Sequence, residues 1–193
     1  MDLTEQPEKV KSDRAKKMML WFGIVSLIMA FAGWTSAYIV SSSREDWLTD
    51  FDLPTSFVWS TLVIIISSIT YFLAVKATKS DKSKPATIFL LVTLGLGIAF
   101  IVLQFRGFSE LMSQGYYFTG PTSNITMSYI FLIAAVHIAH VVAGIISLLV
   151  VIANQLRNRY SSSEMVGLEI GATFWHFLDL LWVYLILFFY LYQ

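Results

Sequence analysis

Five uninterrupted apolar runs, each about as long as a bilayer is thick, divide this chain and leave it little choice of fold. A hydrocarbon core of roughly 30 Å takes about 20 helical residues. The runs Met18 to Val40, Phe57 to Val75, Thr87 to Phe105, Met127 to Ala153 and Leu168 to Leu191 all meet or approach that length. Lipid offers backbone N–H and C=O groups no partner, so each run must close its own hydrogen bonds as a helix. Composition agrees: 56% of the 193 residues are hydrophobic, above the roughly 45–50% of ordinary globular chains. The expected fold is all-α, a polytopic membrane bundle of five transmembrane helices over residues 18–193, preceded by a basic cytoplasmic tail over residues 1–17. The first run, 23 residues long, exceeds the roughly 7–15 apolar residues of a cleavable signal peptide and is expected to stay as a helix. Pro54, Pro85 and Pro121 sit just before runs, where proline disturbs a helix least. The connections are polar and turn-rich, and no second domain, repeat or loop of catalytic size stands out.

Charge placement orients the bundle. With the N-terminus cytoplasmic, Lys9, Lys11, Arg14, Lys16, Lys17, Lys76, Lys79, Lys82, Lys84, Arg157 and Arg159 lie inside, eleven of the thirteen basic residues, leaving Arg44 and Arg106 outside. The positive-inside rule then predicts N-terminus in, C-terminus out. Formal net charge is zero and gives no reason to expect a nucleic-acid partner. Glu45, Asp46, Asp50 and Asp52 gather in the first outer connection, read as a solvated loop, with docking of a basic soluble partner as the alternative. The absence of cysteine excludes disulfides, thiolate metal sites and cysteine nucleophiles.

All three histidines fall within apolar runs: His137 and His140 in the fourth, His176 in the fifth beside Asp179. An ionisable group at the bilayer centre costs about 2.5–3.5 kcal/mol even on the lenient insertion scale, so it is expected to face protein and find a partner. At about 1.5 Å per residue, His140 and Asp179 lie at one level on neighbouring antiparallel helices, which predicts a hydrogen bond between them. Gly144, opposite His176, is expected to make room for His176 or Trp175. Glu169, His176 and Asp179 share a broad face of the fifth helix, and Glu169 also suits the helix N-terminus electrostatically. Taken alone, these residues admit a bis-histidine haem site, a zinc or copper site, a proton relay, or an interhelical hydrogen-bond cluster with no chemistry of its own. The last needs the fewest groups.

The run GLEIGATFWHFLDLLWVYLILFFYLY, with Glu169, Trp175, His176, Asp179 and Trp182, resembles the last helix of subunit III of the haem-copper oxidases, approximately FE-x5-WHF-x-D-x2-W. HIAHVVAG, with His137, His140, Val141 and Gly144, is similar to that family's HGxHVxxG. The first run resembles SEVMFFAGxxxAYIV at Ser26, Ala32, Gly33, Ala37, Tyr38, Ile39 and Val40, and Leu94, Gly95 and Gln104 resemble weaker positions. The resemblance covers nearly the whole chain from Met18 onward and fits the five-helix bacterial form. Departures are Leu27, where the family has a glutamate, Ala135 and Ile138, where it prefers glycines, and the missing glutamate after Gln104. Any role carried by the first of those acids does not transfer here.

The resemblance implies a non-catalytic subunit III of an aerobic respiratory cytochrome c oxidase, supporting assembly, lipid binding, proton uptake and turnover stability in electron transfer to oxygen. Subunit III of a quinol oxidase or nitric oxide reductase is the near alternative, and a stand-alone transporter or proton channel the distant one. Three histidines are too few for the haems and copper of the catalytic subunit, and the dinuclear-copper subunit needs cysteines. Haem and copper are therefore expected in partner subunits and none in this chain. The implied partners are subunit I, subunit II through the complex, cytochrome c indirectly, and phospholipid. His137, His140, Gly144, Glu169, Trp175, His176, Asp179 and Trp182 form the expected interhelical polar cluster. Trp21, Arg157 and Arg159 are the expected lipid and interface anchors. The implied location is a bacterial inner (plasma) membrane, with the mitochondrial inner membrane as alternative.

Overall fold

A computed structural model describes residues 8–49, 51–120 and 123–192. These residues form five helices in chain order: α1 (Glu8–Ser41), α2 (Thr55–Lys79), α3 (Ser83–Ser113), α4 (Ile125–Leu156) and α5 (Val166–Leu191). All five are long and apolar enough to cross a membrane. Pro54 takes the N-cap position of α2 and Pro85 lies in the first turn of α3, where no intrahelical N–H is lost. Pro121 and Asp50 lie outside the described residues. At α4 the Asn124 side chain accepts from Thr126 N at 2.8 Å, satisfying one orphan donor of the first turn.

Two helices extend further than the apolar runs predict. Helix α1 begins at Glu8, within the expected tail, and its 34 residues span about 51 Å. Its first turns therefore reach past a hydrocarbon core, and there Lys9 pairs with Glu164 and Lys17 with Glu169 at 2.9 Å. Helix α3 continues to Ser113 through residues expected in a connection, because Gly107, Phe108 and Leu111 carry its buried face onward. Glu110 then receives the Ser56 hydroxyl of α2.

Helix α5 is central: half of its apolar span is buried, against 17% of that of α1. Helices α1, α2 and α4 pack against it, α3 closes the bundle against α2 and α4, and α1 lies along α4 and α5 only. The buried residues of α1 are Ile24, Phe31, Thr35 and Tyr38, one narrow stripe. The α2–α3 turn is closed by Lys82 N to Ala77 O at 3.0 Å, with Asp81 at φ 53°. Asp81 Oδ1 also accepts from Ser162 N at 2.9 Å, tying this turn to the α4–α5 connection on the same side of the bundle.

The opposite end is capped rather than merely solvated. Phe51 and Leu53 are buried, Trp47 stands edge-on to Tyr38 at 4.7 Å, and Leu48 N donates to Thr126 Oγ1 at 2.9 Å. In the same connection the Arg44 guanidinium, hydrogen-bonded to Asp46, holds that carboxyl below its usual range. Helices α2 and α3 make the tightest contact: a Cβ on Gly107 would come within 2.3 Å of the Phe57 ring. Gly107→Ala should therefore lower stability by about 1–3 kcal/mol. Chemical denaturation in detergent reads the change, and an unaltered midpoint would mean that these helices do not meet at Gly107.

Candidate functional site

Two tryptophans seven residues apart on α5 organise the interior. Trp175 fills a slot between two glycines: a Cβ on Gly97 of α3 would lie 2.7 Å from its ring, and one on Gly144 of α4 would lie 3.3 Å from it. Its Nε1–H donates to Ser67 Oγ of α2 at 3.0 Å. Trp182, toward the other end, donates from Nε1 to Thr61 Oγ1 at 3.0 Å and meets Phe57 and Phe100 edge-on at 5.7 and 5.4 Å. Each ring thus touches three helices and still satisfies its single donor, as a buried indole requires.

The histidines take three different directions. His137 is fully buried and stacks on Trp182 at 5.3 Å, with Phe31 and Phe100 edge-on at 6.3 and 6.0 Å. Neither of its ring nitrogens has a hydrogen-bond partner among the described residues. His140 turns toward α1, with Phe31 at 5.9 Å. Its Nδ1 donates to Val136 O one turn earlier, at 2.8 Å; the carbonyl can only accept, so the proton sits on Nδ1. His176 faces α2, with Nδ1 2.6 Å from Ser68 Oγ and the ring 6.0 Å from Tyr71.

The expected hydrogen bond between His140 and Asp179 is not made. Both residues lie at the centres of their helices, but His140 occupies the flank of α4 turned to α1, while Asp179 lies on the flank of α5 turned to α2. Ser68 Oγ stands beside Asp179 as well, yet its short contact is with His176, and neither Asp179 oxygen reaches hydrogen-bond geometry. Glu169 leaves the histidines and pairs with Lys17 of α1. Gly144 serves Trp175 and Leu178 rather than His176. Of the eight residues expected in one cluster, the structure brings His137 to Trp182 and Gly144 to Trp175, and His176 with Asp179 into a second group facing α2. Among the described residues no three His, Asp or Glu side chains converge as a metal would require.

Sequence reasoning missed the small residues of α2. Ser60, Ser67 and Ala74 recur at sevens and are all buried, and Ser60 also receives Gln104 Nε2 at 2.9 Å. That seven-residue spacing was the available signal.

The sequence's departure at Leu27 has a structural counterpart. Leu27 lines an open groove of about 690 Å³ between α1 and α4/α5, with Gly23, Ile24, Ser147, Ile170 and Phe174. At one end of it Lys17, Trp21 and Glu169 gather. Trp21 is exposed on α1, Arg157 follows the last turn of α4, and Arg159 Nη1 donates to Asn154 Oδ1 at 3.4 Å.

The family model described as cytochrome c oxidase subunit III matches residues 17–193. Subunit 3 of the cytochrome bo(3) ubiquinol oxidase of Pseudomonas aeruginosa is 32% identical over 133 residues, 69% of this chain and 62% of that protein. The same subunit of Buchnera aphidicola subsp. Acyrthosiphon pisum is 28% identical over 184 residues, 93% of this chain and 88% of that one. Cytochrome c oxidase subunit 3 of Spodoptera frugiperda is 30% identical over 129 residues, 65% and 82% of the two chains. The chain therefore spans less than two thirds of the Pseudomonas protein and most of the other two.

Proposed function

Since this membrane protein belongs to the cytochrome c oxidase subunit III family, we propose that it is a non-catalytic subunit of an aerobic respiratory oxidase, bracing a haem- and copper-bearing subunit I in a bacterial plasma membrane. The observation that carries this reading is the use made of its ionisable core. His137 serves as a packing ring against Trp182, His140 is bonded to its own helix, and His176 meets a serine, so the groups that could have converged on a cofactor instead hold or flank helix contacts. Electron transfer, oxygen reduction and proton translocation then belong to the assembly, which also includes subunit II. N-terminus in, C-terminus out remains the orientation that the basic residues favour.

Phospholipid is the proposed resident ligand. The groove along Leu27 is apolar over its length, and Lys17 and Trp21 at its mouth suit a headgroup at the interface. Arg157 and Arg159 anchor the same side.

Cytochrome c is the first reading of the ultimate donor, as the family resemblance implies. Ubiquinol is the second reading, carried by the Pseudomonas and Buchnera relatives, which are subunits of ubiquinol oxidases. Purification of the native complex in mild detergent should bring haem-bearing subunits with this chain. A haem-free, monodisperse protein alone would overturn the reading. Turnover with reduced cytochrome c against ubiquinol, together with the extracted haem type, separates the two donors.

A further inference from the structure

Hydrocarbon chains neither donate nor accept hydrogen bonds, so a polar group at the edge of a bundle, deep in the membrane, must find its partner in protein. Between α2 and α5 an open crevice of about 400 Å³ is lined by Ile65, Ser68, Ile69, His176, Asp179 and Val183. Asp179 is only 4% exposed, and neither carboxyl oxygen has a partner among the described residues. Ser68 cannot meet the need. Its oxygen lies 2.6 Å from His176 Nδ1 and is in hydrogen-bond geometry with neither Asp179 oxygen.

Depth excludes a headgroup. Ser68 and Asp179 lie midway along α2 and α5, each about 20 Å from the first residue of its helix. The groove along α1, by contrast, is lined by apolar and small residues and makes no such demand.

We propose that the crevice between α2 and α5 receives a side chain bearing an N–H or O–H donor from a transmembrane helix of a partner subunit, with Asp179 as the acceptor. The inference rests on the reading of this chain as an assembled oxidase subunit and adds the face by which it docks. A partner helix laid over Ile65, Ile69 and Val183 would cover the apolar rim while its donor reaches Asp179. His176 and Ser68, already linked, flank the contact and fix its register. In a membrane, where apolar contact alone gives helices little reason to associate, one such bond sets which faces meet.

The test uses the native complex. A photoactivatable benzoylphenylalanine at Ile69 or Val183 should crosslink to a haem-bearing subunit, while one at Met29, on the outward face of α1, should give mainly lipid adducts. Asp179→Leu should reduce occupancy of this chain in the purified complex several-fold, and Asp179→Asn, which keeps an acceptor oxygen, should lose less. Crosslinks from Ile69 and Val183 to lipid alone, or to a second copy of this chain, would overturn the docking face while the subunit reading stands. Full occupancy with Asp179→Leu would do the same. If Asp179→Leu fails to fold, the crosslinks on the unsubstituted Asp179 background decide. A chain that purifies with no haem-bearing subunit at all overturns both readings.

Discussion

Gly97→Leu should leave almost no folded protein in the membrane. Even the Cβ of such a side chain would sit 2.7 Å from one carbon of the Trp175 ring and 3.1 Å from the next. The ring cannot retreat. Behind it stands α4, which comes close enough that only Gly144 fits, and its Nε1 is held by Ser67. Extra methylenes in a packed core cost about 1–3 kcal/mol and sometimes more. Here a whole isobutyl group meets an immobile ring, which takes a large part of the roughly 5–15 kcal/mol that holds a typical domain folded. The yield of monodisperse protein and its denaturation midpoint read the effect. Pairing the substitution with Trp175→Ala supplies the missing volume, so the double variant should be more stable than the two separate losses added together. Simple additivity would mean that Gly97 and Trp175 do not touch.

Trp182→Ala should produce the second-largest loss, about 3–5 kcal/mol for a buried aromatic removed without collapse of its site. It takes the stacking surface from His137, the edge contacts from Phe57 and Phe100, and the only donor to Thr61 Oγ1 among the hydrogen bonds described. Thr61→Ala calibrates the last of these and should cost about 1 kcal/mol. Trp182→Phe, which keeps a ring but no N–H, should fall between. Thermal or chemical denaturation of the purified chain orders the three, and a Trp182→Ala variant as stable as Thr61→Ala would show that the ring is not a packing centre.

Much of this architecture was readable from the chain, and the errors have a common origin. Length and apolar content identified five spans, because a bilayer imposes a minimum helix length that few sequences meet by chance. The histidines and Asp179 were expected to face protein because ionisable groups are costly in lipid, and Gly144 was expected to make room for a bulky neighbour, which is Trp175. The ends of α1 and α3 were harder. Glu8 to Lys17 and Arg106 to Ser113 are polar enough to pass for tail and connection, yet Lys17 pairs with Glu169, and Gly107 and Leu111 continue a buried face. Helix ends outside the hydrocarbon are decided by contacts of this kind, which apolar content does not report.

The position of each polar group along its helix followed from sequence, because rise per residue is nearly constant. His140 and Asp179 each lie near the middle of their helices. Which way each points did not follow. A helix turns about 100° per residue, so two groups at one level can still face different neighbours, and the rotational setting of α5 depends on how Trp175 and Trp182 seat among α2, α3 and α4 at once. That seating turned Asp179 toward α2, into the wall of the crevice there, while His140 was turned to α1. Sequence alone determined a five-span membrane protein with too few ligands to hold the redox centres of an oxidase. Only the packed structure decided that the Asp179 carboxyl has no hydrogen-bond partner among the described residues, because that depends on three helices interlocking together.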